Sequence, residues 1–227
     1  MKPVIILGKG PSALSLKKSD KYDVAACNNA TWLCESPTYT FYNDIEPMEL
    51  TSKDDFAKIT SLVLPTYLHS QRNPRFNGVS QEIHFTKLPE LFQDGRFDDI
   101  DILLYELQPD ASSRPEEIKR LEDGCDPAQQ LDEWPGGCGV TAANFLAKFI
   151  GYRTFIFAGI DTQGGYHPKF VKLDESGNPL NGGMGSAAQP AGYDKDYNQM
   201  VRLIESYGGT ATHINDLSQE DRKELGI

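Results

Sequence analysis

The chain opens with an apolar strand that is followed at once by a glycine-rich turn. Val4 to Leu7 reads VIIL, four apolar residues of which three are β-branched, and this composition is typical of a parallel strand covered on both faces. The next residues are GKGPS, Gly8 to Ser12, whose two glycines let the backbone turn tightly beside a ligand. Followed by a helix, such a turn presents amide groups and a positive helix end to a phosphate.

The turn differs from two better-known phosphate motifs. It lacks the third glycine of GxGxxG, and a single residue separates Gly8 from Gly10, so it is not the loop GxxxxGK[ST] either. Pro11 suits a first helical turn, and we expect a short helix over Ala13 to Lys18. The same stretch also fits the first strand and turn of any α/β domain, and both interpretations stay open here.

Strand-like and helix-like segments alternate along the rest of the chain. The patterns predict strands over Tyr22 to Ala26, Tyr39 to Tyr42, Leu62 to Leu64, Ile102 to Leu107, Thr154 to Ala158 and Thr210 to Ile214. They predict helices over Ser52 to Ile59, from Val140 to a stop at Gly151, and over Asp194 to Ser206. This alternation predicts an α/β fold, a Rossmann-like parallel sheet with helices on both faces.

Length and local composition set the domain organisation that we expect. The 227 residues suit one domain over 1–227 with a substantial core. The segment around 67–135 is punctuated by turns and polar residues and is interpreted as insertions. The segment around 163–190 is rich in glycine and directly follows the predicted strand that ends in Gly159-Ile160-Asp161. It is interpreted as a lid that closes over a ligand.

Charge and cysteine content exclude several classes of function. The net charge is −11, from 22 Lys and Arg against 33 Asp and Glu, so the surface repels nucleic acid and anionic membranes. No long apolar run indicates a membrane span or a signal peptide, and we expect a soluble, cytoplasmic protein. Cys27, Cys34, Cys125 and Cys138 lack zinc-ligand spacing and are expected to be free thiols, with no metal site.

Polar side chains follow several of the predicted strands. Asn28 and Asn29 come after the second strand, and Asn43 comes after the third. Because the carboxyl ends of parallel strands share one edge of a sheet, these amides predict a polar pocket for a ribose or a base. Simple Asx turns explain the same residues. A second glycine-rich stretch, Gly136 to Gly139, precedes a predicted helix and repeats the anion-site pattern.

Taken together, these stretches resemble the bacterial sialyltransferases of glycosyltransferase family 42. Members of that family carry GNGPS after the first strand, CN and FYN after the next two, SGV before a helix, and SGID at the end of a later strand. Here the corresponding stretches, in the same order, are GKGPS (8–12), CNN (27–29), FYN (41–43), CGV (138–140) and AGID (158–161). The resemblance covers the chain from its first strand to its last helices.

The resemblance implies a metal-independent enzyme that uses a CMP-sugar donor as substrate, without a further cofactor, and a glycan or other hydroxyl acceptor. It implies a phosphate turn formed by Gly8, Gly10, Pro11 and Ser12, nucleotide contacts from Asn28 and Asn43, close approach at Gly139, and support of the ribose or pocket by Asp161. The wider set of expected binding residues adds Lys9, Asn29, Cys138, Gln163 and Tyr166. A homo-oligomer is a further possibility.

The chain departs from the family at residues that matter for catalysis. Lys9 stands where the family has Asn, and an ammonium there can pair with a phosphate. Cys138 replaces a Ser, and the arginine expected before Gly-Val falls near Pro135. The family's histidine base follows the lid, where this chain has Tyr193, whose ordinary pKa near 10 makes it a poor base. His167 in the lid is the other candidate base.

These departures leave alternatives beside a sialyltransferase-like glycosyltransferase. One is a nucleotide-binding protein that has lost its base and does not catalyse. Another is an enzyme similar to the pterin pyrophosphokinases, which would use ATP and Mg²⁺, with Asp44 and Asp161 as metal ligands.

Overall fold

The structure is a computed structural model that describes residues 1–70, 81–106, 131, 137–162, 165–171 and 193–227. Its strands are β1 Val4–Leu7, β2 Asp23–Cys27, β3 Tyr39–Phe41, β4 Ser61–Pro65, β5 Tyr67–Ser70, β6 Gln81–His84, β7 Asp101–Tyr105, β8 Thr154–Ala158 and β9 Thr210–His213. Among the described residues, seven strands form one sheet in the order β7-β4-β3-β2-β1-β8-β9, and β5 and β6 form a separate antiparallel hairpin.

All neighbours in the large sheet are parallel, so their carboxyl ends lie at one edge. The chain places β2, β3, β4 and β7 on one side of β1 and then crosses to place β8 and β9 on the other. Leu7, the last residue of β1, lies between Ala26 of β2 and Ala158 of β8. The strand order therefore reverses between β1 and β8, where open α/β sheets bind their ligands.

The helices of the described residues are α1 Ile45–Glu49, α2 Lys53–Phe56, α3 Leu88–Leu91, α4 Cys138–Phe145, α5 Tyr193–Ser206 and α6 Gln219–Leu225. Single 3₁₀ turns cover Asn28–Leu33, Phe85–Lys87, Pro168–Phe170 and Ile214–Asp216. Helix α4 continues as a π-helical turn, Leu146–Ile150, and ends at Gly151, whose φ of 90° satisfies the left-handed cap. None of the helices in these ranges is long and apolar enough to cross a membrane.

Strand β1 is buried on both faces, as its composition predicts. Val4 and Ile6 pack with α4 and α5 on one side of the sheet, and Ile5 and Leu7 pack with a second cluster on the other. All four residues of β1 are 0% exposed, because successive side chains of a strand point to opposite faces and both faces are covered. The α/β, Rossmann-like class is confirmed.

The helix expected over Ala13 to Lys18 is absent, and that prediction is wrong. Leu16 instead pairs with the chain near Cys34: its amide donates to the Leu33 carbonyl at 2.7 Å, and its carbonyl accepts from the Glu35 amide at 3.0 Å. A six-residue helix is too short to form on its own in competition with such pairing. The turn after β1 therefore has no positive helix end behind it.

The other predicted elements agree with the structure to within a few residues, whereas helices α1, α3 and α6 and the hairpin of β5 and β6 were not predicted. The hairpin of β5 and β6 falls inside the segment 67–135, which is interpreted from the sequence as insertions with only the strand over Ile102 to Leu107 assigned. Residues 71–80, 107–130 and 132–136 lie outside the described part of the chain. Of the predicted lid, residues 163, 164 and 172–190 also lie outside it, so closure of the lid stays a prediction.

Candidate functional site

A cavity of about 300 Å³ opens at the point where the strand order reverses. Its volume lies at the lower end of the range of roughly 300–1,000 Å³ that is usual for small-molecule sites. The residues after β1, β2, β3 and β8, the start of α4 and the first turns of α5 line it. They are Gly8, Lys9, Gly10, Cys27, Asn28, Asp44, Gly137, Cys138, Gly139, Val140, Gly159, Ile160, Asp161, Tyr166, Asp196, Tyr197 and Met200.

Two glycine turns interlock to form the floor of this cavity. The Gly8 amide donates to the Ala158 carbonyl at 2.7 Å, and the Gly10 amide donates to the Gly159 carbonyl at 2.8 Å. A Cβ on Gly8 would lie 2.3 Å from the Gly159 oxygen, and Gly159 itself has a φ of +69°. Glycine is therefore required here because two backbones touch, whether or not a ligand approaches.

Ser12 and His213 brace these turns from behind the cavity. Ser12 Oγ accepts a hydrogen bond from the Gly159 amide at 2.8 Å, and the Ser12 amide donates to Asp161 Oδ2 at 3.0 Å. His213 Nε2 lies 3.3 Å from both Ser12 Oγ and Asp161 Oδ1. The Asn215 amide donates to His213 Nδ1, so Nε2 carries the hydrogen in the neutral ring. Asp161 lines the cavity, but its oxygens already hold the turn.

Lys9 extends from the first turn into the cavity. Its Nζ lies 5.3 Å from the centre of the Tyr166 ring, a cation–π contact. Burial lowers the pKa of Lys9 from its ordinary value, and this outweighs the opposite effects of Cys138, Cys27 and Asp44. In the described ranges no carboxylate lies within ion-pair distance of this ammonium. An anion bound in the cavity would supply the missing partner.

Helix α4 contributes a second positive group. Its N-cap residue is Gly137, which has no side chain to accept from the first amides, and Gly137, Cys138, Gly139 and Val140 all line the cavity. The first bond of the helix runs from the Thr141 amide to the Gly137 carbonyl at 3.1 Å. The amides before it have no partner within the helix, so they and the helix dipole favour an anion at this end.

The three predicted asparagines lie in different surroundings. Asn28 lines the cavity, adopts a positive φ of 52°, and its buried Oδ1 has no hydrogen-bond partner among the described residues. Asn29 is buried elsewhere, where its Nδ2 donates to the Pro47 carbonyl and to Thr51 Oγ1. Asn43 is one layer behind the cavity.

Asn43 joins three elements instead of lining the cavity. Its Nδ2 donates to Thr141 Oγ1 of α4 at 3.1 Å, and its Oδ1 accepts from the Tyr105 hydroxyl at the end of β7 at 2.8 Å. Pro11 and Ser12, which the sequence also placed in the binding set, do not line the cavity either. A nucleotide contact from Asn43 stays a prediction, and the geometry gives it a bracing role.

Two carboxylates and a thiol complete the polar wall. Burial raises the pKa of Asp44 and, on helix α5, the pKa of Asp196. Asp196 Oδ2 lies against the start of α4, since a Cβ on Gly137 would be 2.9 Å from it. Cys138 Sγ donates to the Phe41 carbonyl at 3.1 Å, and burial raises the pKa of this thiol well above its ordinary value, so it stays protonated.

Of the two candidate bases named from the sequence, His167 does not line the cavity. The His167 amide donates to the Lys9 carbonyl at 2.7 Å and its Nδ1 accepts from the Lys169 amide, so it caps a 3₁₀ turn outside the lining. Tyr193 is the first residue of α5, but its side chain lies outside what the structure describes. Gln163 lies outside it altogether.

Sequence reasoning missed the face of α5 that closes the cavity. Asp196, Tyr197 and Met200 line it, and they recur at the i, i+1 and i+4 spacing that places residues on one side of a helix. That spacing was visible, but it gave no sign of which strand end the helix would cover. Among the described residues no cluster of three or more His, Cys, Asp or Glu side chains is placed to hold a metal.

Comparison with known proteins relates the fold to one solved structure. No family profile matches this chain, and no curated protein matches it. The structure of a MAf glycosyltransferase from Magnetospirillum magneticum AMB-1 matches with a TM-score of 0.50 and 16% identity over 99% of this chain. The match covers 36% of that protein, so this chain spans about a third of its length. The likeness supports a glycosyltransferase-like, Rossmann-like fold and does not single out the sialyltransferase family.

Proposed function

We propose that this chain is a nucleotide-sugar-dependent glycosyltransferase domain whose donor is a CMP-linked sugar of the sialic acid type. The observation that carries the proposal is the convergence of the Lys9 ammonium and the uncapped start of α4 on one cavity at the strand switch point. A buried cation that no carboxylate of the described residues pairs with, and helix amides that have no partner within their own helix, together match a phosphate group.

The rest of the cavity suits the nucleoside and the sugar. Asn28 lies in the wall, and its Oδ1, which has no hydrogen-bond partner among the described residues, can accept from a ribose hydroxyl or a base amino group. Tyr166 supports Lys9 from one side and presents an aromatic ring to the cavity. The likeness to a glycosyltransferase fold supports glycosyl transfer as the type of reaction. The resemblance of the strand-end motifs to the sialyltransferase family supports a donor that contains cytidine and sialic acid.

The reaction in this proposal is a direct displacement at the anomeric carbon. The acceptor hydroxyl attacks that carbon, the bond to the donor phosphate breaks, and the nucleoside monophosphate leaves with the bonding electrons. Lys9 and the amides at the start of α4 would stabilise the negative charge that develops on the leaving phosphate. Because both groups come from the protein, the proposed reaction is metal-independent.

Calorimetric titration with CMP, CDP, UDP and ATP, each with and without Mg²⁺, tests this proposal. We expect CMP to bind in the absence of metal, and CMP-sialic acid to release CMP in the presence of the protein and a panel of glycan acceptors. Binding of ATP that depends on Mg²⁺ would instead favour the diphosphotransferase alternative, with Asp44 as a metal ligand. Tight CMP binding without turnover of any CMP-sugar would show a binding protein without catalysis.

The negative charge of Asp196 should weaken the binding of a phosphate at the start of α4. Its carboxylate lies beside the start of α4, where it repels a bound phosphate, so Asp196→Asn should bind CMP about 3- to 10-fold more tightly. Burial raises the pKa of Asp196, so the wild type should gain affinity as the pH falls through that pKa, and the variant should lose this gain. Weaker binding by the variant would mean that Asp196 contacts the ligand directly.

A further inference from the structure

The hairpin of β5 and β6 is fixed to the segment that follows β3, which carries Asp44 of the cavity wall. The His69 amide donates to the Asn43 carbonyl at 3.1 Å, and Asp44 and His69 form an isolated parallel bridge. These backbone contacts place the His69 ring next to the Asp44 carboxylate, with Nδ1 at 3.6 Å from Oδ1. An insertion in the chain thus brings an imidazole to Asp44, three residues after the end of β3.

Asp44 faces the cavity on the side of this hairpin. It is half-buried, and it lines the cavity together with Lys9. Its carboxylate is therefore partly withdrawn from water yet remains open to a ligand. Groups from several elements surround it: Lys9 of the first turn, Glu46 of α1, His69 of β5, Cys138 of α4 and Tyr105 of β7.

We propose that Asp44 is the general base of the transfer reaction and that His69 of the hairpin positions it. This inference rests on the proposed glycosyltransferase function and deepens it by assigning the base. Asp44 takes the proton of the acceptor hydroxyl while the oxygen of that hydroxyl forms its bond to the anomeric carbon. The bond from that carbon to the phosphate oxygen breaks, and the nucleoside monophosphate keeps the electron pair.

The electrostatics of Asp44 suit this task. Burial raises the pKa of Asp44, and Glu46 adds to the effect, while His69 and Lys9 lower that pKa less than burial raises it. A carboxylate whose pKa is raised accepts a proton more effectively than an ordinary aspartate. Lys9 and Asp44 then divide the reaction, since the ammonium holds the leaving phosphate and the carboxylate takes the proton.

The other candidates fit less well. His167 does not line the cavity, and its Nδ1 already accepts from a backbone amide. Asp196 lies against the start of α4, which is the position of the leaving phosphate and not of an incoming hydroxyl. Asp161 is bonded to the Ser12 amide and contacts His213, so its oxygens brace the turn.

Asp44→Asn tests the base with almost no change in shape. We expect kcat for CMP release from CMP-sialic acid, with glycan acceptors or with water, to fall by about 100-fold or more, while the Kd for CMP stays within about threefold. Asp101→Asn is the control, because Asp101 is exposed at the amino end of β7, at the opposite edge of the sheet. Its kcat should equal that of the wild type.

Substitution of His69 should change the pH dependence of kcat, which substitution of a purely structural residue would leave unchanged. The His69 charge lowers the pKa of Asp44, so His69→Ala should shift the acid limb of the kcat profile to higher pH and reduce kcat. In His69→Asn the amide nitrogen takes the place of Nδ1 and should restore part of kcat but not the position of the limb. The limb should vanish in Asp44→Asn.

The outcomes separate this inference from the proposed function. If the wild type releases CMP and Asp44→Asn does so at the same rate, Asp44 is not the base, although the glycosyltransferase proposal stands. If the wild type binds CMP and releases none from CMP-sialic acid with any acceptor or with water, both fail. CMP binding by Asp44→Asn shows that the variant is folded, so a low rate in that sample supports the inference.

Discussion

Replacing Gly159 by alanine should lower the free energy of unfolding by about 3 kcal/mol, the largest loss of stability that we expect from a single added methyl group here. Two penalties combine at this residue. Its φ of +69° is a left-handed conformation that costs a residue with a Cβ roughly 1–2 kcal/mol. The new Cβ would also lie 2.5 Å from the Gly8 oxygen, and such overpacking costs about 1–3 kcal/mol.

Gly208 is the matched control for this experiment. Its φ is +71°, nearly the same as that of Gly159, but an added Cβ would meet nothing within 4 Å. Gly208→Ala should therefore lose only the roughly 1–2 kcal/mol of the backbone conformation. Thermal unfolding measures the difference, since 1 kcal/mol shifts the Tm by roughly 2–4 °C at this chain length. Equal losses in the two variants would show that the two glycine turns are not in tight contact.

The sheet could be predicted from sequence because its central strands are buried on both faces. Val4–Leu7 and Thr154–Ala158 are short apolar runs bounded by turns, and β8 has the predicted bounds. The sequence predicts that Gly8 and Gly10 let the backbone turn tightly beside a ligand, but the structure gives Gly8 a different reason. Gly8 and Gly159 are glycines because each turn contacts the backbone of the other, a long-range contact that no local pattern shows.

The candidate site was predictable only as a set of strand ends. Parallel order brings those ends together, but it does not decide which side chain turns toward the cavity. Asn28 lines the cavity, whereas Asn43 holds Thr141 and Tyr105. Asp44, the next residue along, lines the cavity instead. Adjacent residues at a strand end diverge, so their roles depend on neighbours contributed by distant elements.

Because none of the described helices directly follows β1, the positive helix end at the cavity comes from a different part of the chain than the sequence predicts. The sequence placed the helix end behind GKGPS, but the chain there is extended and pairs with residues near Cys34. Helix α4, more than a hundred residues later, supplies the helix end. Because no helix end lies behind the first turn, its positive charge in the cavity comes from Lys9, which is the only charged side chain of GKGPS.

Lys9→Met should weaken CMP binding by about 10- to 100-fold. Charge-assisted hydrogen bonds contribute roughly 1.5–3 kcal/mol, and methionine keeps much of the length and apolar contact with Tyr166 while removing the charge. Because burial lowers the pKa of Lys9, binding by the wild type should decline with rising pH earlier than an ordinary lysine would allow. The variant should lack this alkaline decline, and titration calorimetry across pH measures both effects.

The same substitution should stabilise the free protein, and this opposite sign identifies Lys9 as a residue kept for binding. A buried ammonium that no carboxylate of the described residues neutralises costs free energy, so its removal should raise the free energy of unfolding by about 0.5–2 kcal/mol. Lys148→Met is the matched control, since Lys148 Nζ lies 5.3 Å from the Phe149 ring, the same cation–π distance, but outside the cavity lining. Lys148→Met should leave CMP binding unchanged. If Lys9→Met binds CMP as tightly as the control does, the ammonium does not hold the phosphate, and the proposed binding mode fails.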